Sequence, residues 1–275
     1  MNLKKRKMQS SNILYLTKNC NLRCSYCFER ERHRNESISF SGIDSFLDDV
    51  IRREPDSVST ICLFGGEPFL EFEKLRYVLE KCERITKETG KQFAFSTITN
   101  GTLLHNYIDE LRLFNAAKST KFSLIISYDG NYQKYRETSG IVEKNLNLLL
   151  ENDIPFGISY SVLEYNSDRK ILISELVRII KKYFLRDKRE YLRINFDIEK
   201  IENKYNCSFD EYLKGIQEHL FLLYKYYRVP ICHLVCKICG RCKKDNFSDE
   251  ALSCIPDGDS IIIRPEKTSG PFDHF

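Results

Sequence analysis

Leu16-Thr17-Lys18-Asn19-Cys20-Asn21-Leu22-Arg23-Cys24-Ser25-Tyr26-Cys27-Phe28 carries three cysteines in the spacing C-x3-C-x2-C. The run follows an apolar β-type segment, Ile13–Thr17, so the thiols sit on a loop at the end of a strand. Cysteines of a core would lie inside a strand; these are interleaved with Asn21, Arg23 and Ser25. Three thiolates on one short loop can hold three corners of a cubane iron–sulfur cluster, leaving the fourth iron open. Structural metal sites close their coordination sphere, whereas catalytic ones keep a position free. A zinc site usually brings a second Cys or His pair, and none lies nearby. A disulfide framework needs an even count and an oxidising compartment.

The chain has 275 residues, 42% of them hydrophobic, enough for one large core or a core with a small appendage. Eleven cysteines, no signal-type stretch in residues 1–15 and no transmembrane-length apolar run together predict a reducing, cytoplasmic setting with metal-binding thiolates. A formal charge of +4 from 43 basic and 39 acidic side chains gives no case for a nucleic-acid partner, and nothing calls for a membrane. The basic run Lys4-Lys5-Arg6-Lys7 reads as a solvated tail.

Outward from the cysteine loop, short apolar runs alternate with helical periodicity. Strands are predicted at Ile13–Thr17, Val58–Phe64, Phe93–Thr99, Phe122–Ser127, Pro155–Leu163 and Leu192–Asp197. Helices are predicted between them: one through Ile43, Phe46, Leu47, Val50 and Ile51 with Ser41 as N-cap, then Glu71–Thr89, Leu103–Ala117, Ile141–Asn152 and Ile171–Tyr183. Six βα units with strands this apolar imply parallel pairing covered on both faces. The expected fold is α/β: a partial (β/α)6 TIM-like barrel over residues 1–200, with an open doubly wound sheet as the alternative. In either, the chemistry belongs at the C-terminal strand ends. Residues 201–275 form a small Cys-rich C-terminal extension: a helix started by a Ser208/Glu211 capping box, with the stripe Leu213, Ile216, Leu220, Leu223 and Tyr227, ended by Pro230. The last 45 residues hold five cysteines and little apolar pattern, so a metal is their natural organiser.

C-x3-C-x2-C with Tyr26 before its last cysteine resembles the signature of the radical S-adenosylmethionine superfamily. Three later segments fall in that family's order. Phe64-Gly65-Gly66-Glu67-Pro68 is similar to its GGEP motif, whose glycines admit a close ligand and whose carbonyls can accept from an ammonium group. Thr97-Ile98-Thr99-Asn100-Gly101-Thr102 resembles its TNG segment, and Ser127-Tyr128-Asp129-Gly130 its S-x-D-G segment, with Arg136 where an arginine commonly follows. The resemblance implies Cys20, Cys24 and Cys27 as ligands of a 4Fe–4S cluster. It also implies that Tyr26, Gly65, Gly66, Glu67, Asn100, Ser127 and Arg136 bind S-adenosylmethionine, Ser127 at the ribose and Arg136 at the methionine carboxylate. The guanidinium fork suits that last role.

Cys232-His233-Leu234-Val235-Cys236-Lys237-Ile238-Cys239-Gly240-Arg241-Cys242, then Cys254-Ile255-Pro256-Asp257-Gly258-Asp259, is similar to the SPASM or twitch extension of peptide- and protein-modifying members. Ile263 stands where that pattern expects a further cysteine, and the sequence ends at Phe275, so a full SPASM domain with two extra clusters is not expected. Cys232, Cys236, Cys239, Cys242 and Cys254 suffice for one auxiliary 4Fe–4S cluster or a zinc ion; a remnant that binds nothing is the alternative. Cys62 and Cys82 read as buried small hydrophobes, and Cys207 is unassigned.

The resemblance implies a 5′-deoxyadenosyl radical that modifies a ribosomally synthesised precursor peptide, by a thioether or carbon–carbon crosslink or by epimerisation. Maturation of a folded protein, as by a sulfatase maturase or an activase, is the second reading; a non-catalytic iron–sulfur scaffold is the third. A one-electron donor such as flavodoxin or ferredoxin is implied. The residues before the first strand are too few for a leader-binding domain, so recognition falls to the barrel mouth, the C-terminal region or a leader-binding partner protein. Tyr128, Tyr160 and the unassigned cysteines stand equal as donors of a last hydrogen or electron.

Overall fold

A computed structural model describes residues 11–27, 29, 35–56, 58–117, 120–136, 138, 140–184 and 192–227. The elements are β1 (Ser11–Thr17), α1 (Phe40–Arg53), β2 (Ser59–Gly65), α2 (Phe72–Thr89), β3 (Phe93–Thr99), α3 (Ile108–Ala116), β4 (Thr120–Ser127), α4 (Ile141–Glu151), β5 (Phe156–Val162), α5 (Arg169–Tyr183), β6 (Leu192–Phe196), α6 (Ile198–Tyr205) and α7 (Phe209–Tyr227). The strands form one sheet in the order β1-β2-β3-β4-β5-β6. The pairing is parallel, with Ile13 opposite Cys62, Ile61 opposite Phe95 and Tyr160 opposite Ile194. Sequential order with a helical crossover after each of the first five strands is the partial TIM-like α/β fold expected from the pattern.

The chain divides into two compact units. One holds the described residues up to Thr99 with Asn106–Leu124; the other holds Asn100–His105 and the described residues from Ile125 onward. In the first, Leu14 and Leu16 of β1, Ile61 and Leu63 of β2, and Leu75 and Val78 of α2 are buried. Phe72 and Tyr107 stack there with centroids 3.9 Å apart. In the second, Ile158 and Tyr160 of β5 lie in a core with Leu172, Leu176 and Ile180 of α5 and Leu213, Ile216 and Leu220 of α7.

Local chemistry moves several boundaries. Ser39, not Ser41, caps α1: it is extended (φ −77°, ψ 161°) and its Oγ accepts the Gly42 N–H at 3.0 Å. Ser41 already lies in the first turn, where its carbonyl accepts from Ser45 Oγ. The helix expected from Leu103 begins at Ile108, because the Asn100–Thr102 turn, with Gly101 at φ +77°, and a 3-10 turn at Leu104–Asn106 come first. The capping box of α7 forms as expected: the Ser208 N–H donates to Glu211 Oε2 (2.9 Å) and the Glu211 N–H to Ser208 Oγ (3.4 Å). Helix α6 was not expected; Asp197 caps it through the Lys200 N–H. Among the described residues, no helix is long and apolar enough to cross a membrane.

Candidate functional site

In the first unit the cysteine loop leaves β1 and returns at residues 35–38. Lys18 N–H donates to Glu36 O (2.9 Å), Ile38 N–H to Leu16 O (3.1 Å) and Thr17 Oγ1 to Glu36 O (3.0 Å), which closes the neck of the loop. Its first residues lie directly on the Gly65-Gly66 turn at the end of β2. Gly66 N–H donates to Thr17 O (3.0 Å) and Glu67 N–H to Asn19 O (2.9 Å). A β-carbon on Gly65 would lie 2.3 Å from Thr17 O, and one on Gly66 2.3 Å from Asn19 O and 3.0 Å from Cys20 Cβ. Gly65 also sits at φ +153°. The glycine pair is therefore needed by the chain itself: without side chains there, the loop seats on the strand end.

Cys24 is buried, whereas Cys20 and Cys27 are half-buried. The Leu22 N–H points at Cys20 Sγ (3.4 Å), Cys27 N–H donates to Cys24 O (3.2 Å), and Arg23 Nη1 donates to the carbonyls of Cys20 and Leu22 (both 3.0 Å). Tyr26 is half-buried on the same loop. Among the described residues, no three Cys, His, Asp or Glu side chains are gathered as a metal-ligand group, so the loop presents the three thiols without drawing them together. The donor set still fits an iron–sulfur cluster: three sulfurs on one anchored loop, with a backbone N–H aimed at the first of them.

Glu67 is fully buried, and its Oε1 accepts from Phe69 N–H (3.0 Å) and Thr99 Oγ1 (2.7 Å). It caps the 3-10 turn Pro68–Glu71 and ties the ends of β2 and β3 together. Thr97 Oγ1 adds a second tie, to Leu63 O (2.9 Å).

In the second unit, Asn100 Oδ1 accepts from Thr102 N–H (3.0 Å) and Thr102 Oγ1 (2.7 Å), an Asx turn that shapes the TNG segment. Asn145, buried on α4, holds the same segment by donating to Gly101 O (2.7 Å) and Thr102 O (3.2 Å). Ser127 is half-buried at the end of β4. Arg136 is buried, and its Nε donates to Asp129 Oδ2 at 2.9 Å. Asp129 is fully buried, and its Oδ1 accepts the Ser161 N–H (3.0 Å). The guanidinium read as a fork for a ligand carboxylate thus already has a carboxylate of its own chain.

Glu175 of α5 holds the next turn. Asn131 donates to it through its backbone N–H (3.1 Å, to Oε2) and its side-chain amide, and a β-carbon on Gly130 would lie 2.3 Å from Glu175 Oε2. Tyr128 and Tyr160 are fully buried, and burial pushes both hydroxyls far up from their ordinary value. The Tyr128 ring meets Tyr183 of α5, so it faces the helical layer, away from Ser127. Neither Asn145 nor Glu175 was singled out in the sequence, although each interrupts an apolar helical stripe, which is the signal that marks them. Cys62 and Cys82 are buried as expected. Cys232, Cys236, Cys239, Cys242 and Cys254 lie outside the described residues.

A parallel α/β half-barrel with a three-thiol loop on its first strand end and a Gly-Gly-Glu turn on its second defines a class of cofactor-dependent radical proteins. Residues 14–172 match the Radical SAM superfamily, more than half of the chain, and the chain belongs to that family. Membership brings with it a 4Fe–4S cluster and S-adenosylmethionine. An uncharacterized protein of Methanocaldococcus jannaschii is 26% identical over 227 residues, covering 80% of this chain and 72% of that one. A cysteine-type anaerobic sulfatase-maturating enzyme of Clostridium novyi is 26% identical over 236 residues, covering 76% of this chain and 61% of its own length. Among solved structures, anSMEcpe with bound AdoMet and the Cp18Cys peptide superposes with a TM-score of 0.61 at 21% identity, over 82% of this chain and 63% of that one. The chain thus spans between about half and just under two-thirds of the maturating enzymes that it matches.

Proposed function

We propose that this chain is a radical S-adenosylmethionine enzyme whose substrate is a peptide or a segment of a protein. The observation that carries the reading is the likeness to the Clostridium novyi maturating enzyme, which takes in 76% of the chain, a longer stretch than the family core at residues 14–172. When bound, the cluster and S-adenosylmethionine supply a carbon radical able to take a hydrogen atom from an unactivated C–H bond. Cys20, Cys24 and Cys27 hold the cluster, and the N–H of Leu22 draws charge from the sulfur of Cys20. Backbone carbonyls of Gly65 and Gly66 accept from the methionine ammonium. Glu67 acts one step back, by keeping the ends of β2 and β3 in place through Phe69 and Thr99. Ser127 serves the ribose, and Arg136, whose Nε is paired to Asp129, serves the methionine carboxylate.

Two chemistries fit this reading. Maturation of a protein Cys or Ser residue has the curated relatives in its favour; crosslinking or epimerisation of a ribosomal peptide has the five C-terminal cysteines, which as a set would hold an auxiliary cluster. The test is anaerobic reconstitution with iron and sulfide, followed by reduction in the presence of S-adenosylmethionine. Formation of 5′-deoxyadenosine and methionine is expected, with complete loss in Cys24→Ala; unchanged turnover in that variant refutes the reading. Mass spectrometry of a sulfatase-type Cys or Ser peptide and of a Cys-rich precursor peptide then separates the two chemistries.

A further inference from the structure

We infer that Arg193, on β6, is a substrate-recognition residue that takes an acidic side chain of the peptide, a deepening that rests on the peptide reading above. Parallel strands β5 and β6 pair Ser159 with Arg193 and Ser161 with Asn195. Side chains alternate across a sheet, so these four share one face, and Ile158, Tyr160, Val162, Leu192 and Ile194 share the other. The second set is buried. It is the helix side, because Phe156, of the same parity on β5, packs against Tyr183 of α5. The face turned away from α5 is therefore polar, although a sheet covered on both sides by hydrophobic layers would be apolar there.

On that face Arg193 is held rather than loose. Its Nε donates to Asn195 Oδ1 at 2.9 Å, and Asn195 Nδ2 donates to Ser159 Oγ at 2.7 Å. The relay uses the Nε edge and fixes the plane of the guanidinium. Arg193 is half-buried, and among the described residues no carboxylate pairs with it. A partly desolvated cation with an oriented pair of terminal nitrogens is suited to a carboxylate taken two-pronged. Ser127 belongs to the same face: Tyr128, the residue just past the end of β4, turns toward α5, and Tyr128 N–H donates to Ser159 O (3.0 Å). The cation thus shares a sheet surface with the serine assigned to the cofactor ribose.

The test uses the full-length reconstituted protein with S-adenosylmethionine and short fluorescein-labelled peptides. Each peptide has a central Cys or Ser and one Glu moved along the chain, and each has a partner with Gln in its place. Anisotropy titrations of the wild type are expected to favour at least one Glu peptide over its Gln partner by about tenfold. Arg193→Gln abolishes that preference, Arg193→Lys keeps part of it, and both leave the melting temperature and the affinity for S-adenosylmethionine unchanged. Equal binding of every Glu and Gln pair, binding of no acidic peptide, or an intact preference in Arg193→Gln overturns the inference. So does a fall in S-adenosylmethionine affinity in Arg193→Gln, which would give the carboxylate to the cofactor. Failure of the wild type to cleave S-adenosylmethionine would instead strike the functional reading, and the binding titrations do not depend on it.

Discussion

The carbonyl oxygen of Asn19 occupies the space that a β-carbon on Gly66 would need, 2.3 Å from its ideal position. A backbone oxygen that close to a β-carbon cannot give way as a flexible side chain would, so Gly66→Ala has to lift the cysteine loop from the end of β2. Iron and sulfide per chain after reconstitution should fall by about half or more, because cluster binding depends on the three thiols keeping their anchor. Gly90→Ala is the control: its backbone is left-handed, φ +78°, so the substitution strains the chain locally, but a β-carbon there meets no atom within 4 Å. It should cost about 1 kcal/mol in stability and leave iron content unchanged. Equal iron loading in the wild type and Gly66→Ala would refute the anchoring role.

Glu67 and Thr99 form a fully buried hydrogen bond at 2.7 Å, and the same carboxylate oxygen accepts the Phe69 N–H. Glu67→Ala removes the acceptor from two buried donors and should cost about 3 kcal/mol. Glu67→Gln retains a carbonyl acceptor and should cost less. Thr99→Val should cost about 1.5 kcal/mol in the wild type and distinctly less in a Glu67→Ala background. Urea unfolding of the wild type and the four variants checks this; simple additivity of Glu67→Ala and Thr99→Val would show the two side chains to be uncoupled.

The six strands and their parallel order were legible because β2, β3 and β5 are apolar runs of the right length bounded by turn residues. The cysteine loop and the Gly-Gly-Glu turn were legible as neighbours only through their order in the chain. What sequence could not convey is the reason for the glycines. Their bare α-carbons also make room within the chain, for the carbonyl oxygens of Thr17 and Asn19. Asn100 and Arg136 show the same limit: a residue type suited to a ligand also serves an Asx turn or a buried ion pair, and the sequence does not display these partners within the chain. Helix α6 escaped notice since it is a single short amphipathic stretch between β6 and a left-handed Asn206.

Cys82 is wholly buried, and desolvation pushes its thiol up to about 12. At pH 8 about one molecule in ten thousand would carry the thiolate, the form that reacts. In cluster-free native protein, iodoacetamide should therefore label Cys20 and Cys27 first and spare Cys82 and Cys62 until denaturant is added. Peptide mapping by mass spectrometry reads the order; early labelling of Cys82 would contradict the packing of α2.

Asp129 and Arg136 form an ion pair almost shut off from solvent. Removing one charge takes the buried ion-pair partner from the other, so Asp129→Asn should destabilise by about 3 kcal/mol, and Arg136→Gln by a similar amount. The combined Asp129→Asn/Arg136→Gln protein should lose less than the sum, since the ion pair is lost only once and both charges leave the interior together. Chemical denaturation of the set measures the coupling, and strict additivity would mean that the pair is not a unit.

The Tyr128 hydroxyl donates to Glu143 Oε1, and Lys182 Nζ lies 3.5 Å from Glu143 Oε2. The hydrogen bond from Tyr128 first, then the charges of Lys182 and Arg178, hold the Glu143 carboxyl below its ordinary value. A carboxyl whose proton binds less tightly in the folded state adds stability above its unfolded value, and that stability fades as pH falls through the folded one. Glu143→Gln should therefore be less stable than the wild type at pH 7, and the gap should close steadily below about pH 4.5. Because the carboxylate is more than one-third exposed (38%), solvent screening keeps the difference near pH 7 under about 1 kcal/mol. Thermal melts of both proteins between neutral and acid pH give the comparison; a gap that widens on acidification would reverse the sign of the coupling and place the proton on the wrong partner.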